Sequence, residues 1–247
     1  MFGRAFEAPW SAYCWHMNYK EYLSRTFPLL ARLYGEVRLY SLRNKTTREA
    51  FTVIYKNNYW KSSASCSGLG STLESTVNIR REIPKLVRDL KINTFLDLPC
   101  GDYHWMKEVD LPVTQYIGGD IVSDLIEQNK LKYSNDGVSF VTLNLTEDKL
   151  PNSEMILCRD CLVHLSFDDI HEAFENIKRS EIKYILTTTF PDLISNEDII
   201  TGRWRELNLE KPPFALPKPI LLIEENETKP GHRKCLGMWL TKDLIVH

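Results

Sequence analysis

The 247 residues carry 31 Lys plus Arg against 33 Asp plus Glu, a net charge of −2, with 43% hydrophobic and 26% charged residues. A chain of this length buries one sizeable core, its composition excludes wholesale disorder, and its near-neutral charge offers no global field for gathering nucleic acid or an anionic membrane. No apolar stretch is long enough to cross a bilayer, and six cysteines at positions 14, 66, 100, 158, 161 and 235 are too sparse for a disulfide scaffold, so a cytoplasmic chain with reduced thiols, no signal peptide and no membrane span is expected.

The first ~70 residues are rich in aromatics and arginine and lack strand-length apolar runs that alternate with helices. Leu30, Leu33, Tyr34 and Val37 fall at i, i+3, i+4 and i+7, which predicts one helix, with Arg32 and Arg38 facing solvent or a ligand. Residues 1–74 are therefore expected to form an N-terminal helical cap over a substrate pocket. Within it, Ser65-Cys66-Ser67-Gly68-Leu69-Gly70-Ser71 is a small-residue loop whose glycines permit positive φ and close backbone approach. Ile79, Ile83, Leu86, Val87 and Leu90 then mark the buried face of a helix in which Pro84 either introduces a kink or opens a new helix.

From residue 94 short apolar strands alternate with amphipathic helices, the pattern of a parallel sheet with right-handed crossovers. Five strands are expected at 94–98, 116–121, 138–143, 155–158 and 184–189. Ser166 with Asp169 resembles a capping box opening a helix with core face Ile170, Phe174 and Ile177. After Thr189 two strands, 219–224 and 234–240, follow without an intervening helix and read as an antiparallel pair closing the sheet. Residues 75–247 are thus expected to form one doubly wound α/β domain.

A strand ending in Asp97, followed by Pro99-Cys100-Gly101, places a tight turn at the carboxyl edge of the first strand, where open α/β sheets bind ligands. The second strand ends at Asp120, about 20 residues on, where an acidic side chain accepts hydrogen bonds from ribose hydroxyls. Cys100 packed in that turn is more plausible as a small core side chain than as a nucleophile, since no activating base is adjacent in sequence. Cys158-Arg159-Asp160-Cys161 matches C-x-x-C, but no second pair completes a metal site and none is expected.

These strings resemble the class I S-adenosylmethionine (SAM) dependent methyltransferases, whose first motif is an acidic residue followed by a glycine-rich turn like Asp97-Leu98-Pro99-Cys100-Gly101-Asp102. The resemblance runs from about Ile79 to Leu240 and implies a Rossmann-like seven-stranded sheet with an antiparallel last strand, SAM as cofactor and S-adenosylhomocysteine (SAH) as product. By that likeness Asp97 and Gly101 line the methionine part, Asp120 binds the ribose, Asn144 sits near the adenine, Cys158-Arg159-Asp160 lies beside the transferred methyl group, and Pro99, Cys100, Ile121 and Arg159 are further cofactor-binding residues. Pro99 and Tyr103 stand where the commonest motif has glycine, and Asn144 replaces a frequent aspartate. The strings 97–106, 157–165 and 202–209 look like a branch of that superfamily not defined by its substrate.

Asp160 and His164, four residues apart, are the candidates for orienting or deprotonating the acceptor, with capping or packing as the alternative for His164. Trp105, Trp204 and Trp239 are open to stacking or to core packing. Arg203, Trp204 and Arg205 are expected to bind a small-molecule or saccharide acceptor that carries an anionic group. The alternative is a surface network in which Arg203 and Arg205 pair with Glu206, Glu224 or Glu225, and Arg233 with Lys234 form a solvated rim. Two other functions compete: a nicotinamide-dependent oxidoreductase, disfavoured by the missing Gly-x-Gly-x-x-Gly turn, and a SAM-binding regulatory protein without turnover. The oligomeric state is not legible.

Overall fold

A computed structural model describes residues 42, 43, 45–60, 62, 64–225 and 232–245. The expected helix around Leu30 to Val37 lies outside the described residues. In chain order the elements are α1 (Thr47–Lys56), α2 (Val77–Asp89), β1 (Thr94–Asp97), β2 (Gln115–Asp120), α3 (Ser123–Tyr133), β3 (Val138–Thr142), β4 (Met155–Cys158), α4 (Phe167–Arg179), β5 (Tyr184–Thr189), β6 (Leu221–Glu224) and β7 (Cys235–Leu240). The sheet order is β3-β2-β1-β4-β5-β7-β6. β1 to β5 are mutually parallel, while β7 inserts between β5 and β6 and runs antiparallel to both.

All seven strands expected from the sequence are present, each within about two residues of its predicted limits. Alternation along the strands explains the layering: successive side chains point to opposite faces, and both faces are covered. Phe95, Met155 and Leu157 pack toward Ile79, Ile83 and Val87 of α2. Leu96, Ile156 and Ile185 pack on the other face with Ile170, Phe174 and Ile177 of α4. Trp239 belongs to that second layer, fully buried, its Nε1 donating to the Pro217 carbonyl at 2.7 Å.

Pro84 opens no new helix, because α2 is continuous from Val77 to Asp89 around it. Interior proline costs about 3 kcal/mol, and burial of Ile79, Ile83, Leu86 and Val87 on one stripe offsets it. The α4 start is as expected: the Ser166 hydroxyl accepts from the Asp169 amide at 3.2 Å. The Asp169 carboxylate does not turn back to close a box; it accepts from the Thr201 hydroxyl and ties the helix to the segment after β5.

Between β1 and β4 the connections leave in opposite directions, which opens a crevice at the carboxyl ends of these strands. The 42–74 stretch packs beside it, with Arg48 Nη1 donating to the Ile121 carbonyl at 2.9 Å.

Loss of the cap tests the α4 assignment. Ser166→Ala should destabilise the protein by about 1 kcal/mol, lowering the melting temperature by about 2–4 °C in calorimetry. No change would mean the helix start is held by Thr201 and Asp169 alone.

Candidate active site

A cavity of about 930 Å³ lies over the crevice, lined by the segments that follow β1, β2, β3, β4 and β5, by α1 and the 66–71 loop, and by Trp204, Glu206, His232 and Lys234. Its two halves differ in chemistry.

Over β1 and β2 the wall is built from buried carboxyls and backbone. Asp97 ends β1, is 2% exposed, and accepts from the Tyr116 hydroxyl at 2.6 Å. Asp120 ends β2 and accepts from the Val122 amide at 2.9 Å and the Gly101 amide at 3.2 Å. Burial pushes the Asp97 carboxyl up to about 7 and the Asp120 carboxyl up to about 6, the hydrogen bonds only partly opposing it. Neither carboxyl has a cation within ion-pair distance among the described residues. Gly101 sits at φ +55°, where a Cβ would collide with the Ser67 side chain, so the turn favours glycine there. Asn129 Nδ2 donates to the Gly101 carbonyl at 2.7 Å, fixing the turn from α3.

The small-residue loop closes over this half. Asp102 holds its first part, accepting from Ser65 Oγ and the Cys66 amide, each at 2.9 Å. Arg159 holds its other end, donating from Nη2 to the Gly70 carbonyl at 2.7 Å. Pro99, Cys100, Ile121 and Asn144 also line the cavity. Asn144 Oδ1 accepts from the Thr146 amide and hydroxyl, so its carbonyl is partly committed to its own turn.

Over β4, β5 and β7 lies a group of four charges, Arg159, Glu225 and Lys234 buried and Asp160 half-buried. Arg159 pairs with Glu225 and, at 3.3 Å, with Asp160; Lys234 pairs with Asp160 at 2.7 Å and with Glu225 at 3.4 Å. Asp160 stands at φ +50°, a left-handed conformation that aspartate tolerates better than most residues. Burial alone would raise its carboxyl, but Lys234 and Arg159 hold it well below the usual carboxylate range. Asp160 is thus a permanent anion and a poor base, suited to orienting rather than deprotonating.

His164 lines the same half. Its Nδ1 lies 2.8 Å from the Arg203 carbonyl, which can only accept, so Nδ1 carries the proton and Nε2 keeps a lone pair. Burial lowers its pKa, which keeps the ring neutral near pH 7. The Trp60 ring lies 5.4 Å from it.

The sequence assigns an anion-binding role to Arg203 and Arg205. Neither lines the cavity. Arg205 is 8% exposed, and its guanidinium donates to the carbonyls of Leu162 at 2.7 Å, Leu165 at 2.8 Å and Glu197 at 3.2 Å, pinning the 162–165 turn to the segment after β5. The alternative pairing with Glu206, Glu224 or Glu225 does not describe Arg205 either. Trp204 does line the cavity, with 56% of its surface exposed. Of the expected solvated rim, Arg233 pairs with Glu224 and Asp192 at the surface, whereas Lys234 is buried. Burial raises the Cys100 thiol well above its ordinary range, which suits packing rather than nucleophilic attack. Trp105 is buried beneath the Arg159 guanidinium.

Sequence reasoning missed Asp102, Glu225, Trp60 and the Glu206–His232 pair. Asp102 directly follows the Gly101 turn and was within reach of inspection, but Glu225 and Lys234 meet Arg159 only because β7 inserts beside β5.

No protein-family model matches the sequence, and no curated protein matches it. Among solved structures, human N-acetylserotonin methyltransferase in complex with SAM is 16% identical with a TM-score of 0.54, covering 88% of this chain and 68% of that one. The N-methyltransferase NodS from Bradyrhizobium japonicum in complex with SAH is 10% identical with a TM-score of 0.53, over 75% and 97% of the two chains. Magnesium protoporphyrin IX methyltransferase from Synechocystis with bound SAM is 11% identical with a TM-score of 0.50, over 79% and 97%. The chain therefore has the class I methyltransferase fold.

The raised Asp97 carboxyl has a stability signature. Its contribution is fully present below the ordinary value of 3.8 and is lost as pH climbs through about 7. In the unliganded protein Asp97→Asn, which keeps an acceptor for Tyr116, should raise the melting temperature relative to the parent more at pH 8 than at pH 5. Equal differences at both pH values would contradict the burial argument.

Proposed function

We propose that the protein is a SAM-dependent methyltransferase acting on a small-molecule acceptor, with residues 42–74 serving as part of a cap over the site. The observation that carries this reading is the pair of buried carboxyls, Asp97 and Asp120, lining the cavity at the strand-switch point with no ion-pair partner among the described residues. Such groups are stabilised by a ligand that brings an ammonium group to one and hydroxyl donors to the other. The methionine and ribose parts of SAM offer both. Asp97 and Gly101 would hold the former with the backbone of Pro99 and Cys100, Asp120 and Ile121 the latter, and Asn144 would lie toward the adenine, with Arg159 closing the wall.

When bound, SAM supplies a methyl group on a cationic sulfur. The chain supplies position: the 66–71 loop excludes water from above, Asp160 is a fixed carboxylate beside the acceptor, and His164 Nε2 accepts the acceptor's proton. A dinucleotide fits less well. β1 leads into a turn and the short 3₁₀ helix Met106–Glu108, so the α-helix N-terminus that receives a pyrophosphate after this strand is missing among the described residues. Asp97, Asp102 and Asp120 would also repel that group.

Calorimetry with SAH, SAM and NAD tests the reading, as does labelled methyl transfer from SAM, which separates an enzyme from a SAM-binding regulator. SAH should bind and NAD should not. Asp120→Ala should weaken SAH by about tenfold or more, equal to about 1.4 kcal/mol. Because bound hydroxyl donors favour ionised Asp120, affinity should fall as pH drops through about 6, with protons released on binding. His164→Ala should keep SAH affinity while lowering kcat by about 10²- to 10⁴-fold. A folded Asp120→Ala protein of unchanged affinity would overturn the ribose assignment.

A further inference from the structure

Resting on the methyltransferase reading, we propose that the methylated atom is an amine nitrogen, on an acceptor held in its ammonium form by the carboxylates of Glu206 and Asp160 among the faces of Trp60, Phe190 and Trp204. All five residues line the half of the cavity over β4, β5 and β7.

Charge decides against an anionic acceptor. Among the described residues the Arg and Lys side chains lining this half are Arg159 and Lys234, and both are committed to Asp160 and Glu225. Those two cations and two anions cancel. Glu206 then adds a further carboxylate at the wall, its side chain 21% exposed and contacted by His232 Nδ1 at 2.7 Å. A carboxylate pair offers about eight lone-pair sites, more than His232, Lys234, Arg159 and the Thr188 hydroxyl occupy among the described residues, so room remains for a donor-rich cationic group.

The aromatic residues point the same way. Trp204 meets Phe190 edge to face at 6.3 Å and leaves 56% of its surface exposed at the cavity rim. A large aromatic exposed beside a concave site has an unused π face, and such faces attract cations. Trp60, against His164, supplies a second ring. Rings together with carboxylates make a surface that favours an ammonium over a neutral hydroxyl and rejects an acid.

Nitrogen also suits the bases available. An alcohol must lose its proton to a competent base as it attacks, whereas a neutral amine is nucleophilic by itself. Asp160 is held as an anion by Lys234 and Arg159, and half-buried His164, its basicity lowered by desolvation, takes a proton from an ammonium far more readily than from an alcohol. In the balanced sequence the docked ammonium first gives one proton to His164 Nε2 and thence to water. The nitrogen lone pair then forms the N–C bond as the methyl carbon–sulfur bond breaks, the electron pair returning to sulfur. The product leaves as a methylated ammonium.

The full-length protein saturated with SAH is titrated with phenethylamine, 2-phenylethanol and phenylacetate, and with glucosamine, glucose and glucuronate. In at least one triad the amine should bind about tenfold or more tighter than its alcohol, with the acid weakest. Glu206→Gln should abolish that preference while SAH affinity stays unchanged, and Trp204→Leu, at an exposed position, should weaken the amine independently. Labelled methyl from SAM should appear on the preferred amine's nitrogen. Equal or tighter binding of the alcohol or the acid in both triads, or retention of the preference in Glu206→Gln, would overturn the proposal while leaving the cofactor reading standing. Failure of SAH itself to bind would instead strike the methyltransferase reading, and the amine assignment with it.

Discussion

The structure around the cavity depends on four charges, three of them buried and Asp160 half-buried. Arg159 and then Asp160 follow β4, Lys234 precedes β7, and Glu225 follows β6. Glu225 is 3% exposed and Arg159 5%, so neither would be tolerated alone: removing one partner from a buried pair costs about 3–5 kcal/mol. Held together, the four charges join the end of the parallel sheet to its antiparallel edge. Arg159 extends the same network to the Gly70 carbonyl, so the loop over the site is fastened to the strand that ends beneath it.

The two halves of the cavity solve opposite electrostatic problems. Over β1 and β2, carboxyls are buried without cations, and their raised pKa values record the cost of that arrangement. Over β4 and β7, a half-buried carboxylate is paired with two cations and stays ionised. The first half is poised to gain from a cationic, hydroxyl-bearing ligand. In the second, the Arg159–Asp160–Lys234–Glu225 group is already balanced and contributes fixed geometry.

The placement of Arg205 carries a general point. Gly202-Arg203-Trp204-Arg205 leaves the carboxyl edge of the sheet, and alternation along an extended chain sends neighbours to opposite sides. Trp204 faces the cavity, while Arg205 turns inward to three carbonyls, two in the 162–165 turn and one at Glu197. Irregular backbone buried near a site needs donors, and an arginine with five N–H groups supplies several at once. The same residue type thus reads as ligand binding in sequence and as a backbone brace in space.

The amino-acid sequence by itself determined the alternation of strands and helices, the closing β6–β7 pair, and the positions of Asp97, Gly101 and Asp120. These follow from local periodicity and from turns that end strands, which short stretches of chain encode without reference to the rest. The tertiary structure alone decided that β7 inserts beside β5, that Lys234 meets Asp160 across 74 positions of sequence, and that Asp102 holds the Ser65–Cys66 turn. It also decided which of Arg203, Trp204 and Arg205 faces the cavity. The physical reason is that a side chain's partner across the fold is chosen by strand order and by the buried backbone groups awaiting donors, and neither is a property of its neighbours in sequence.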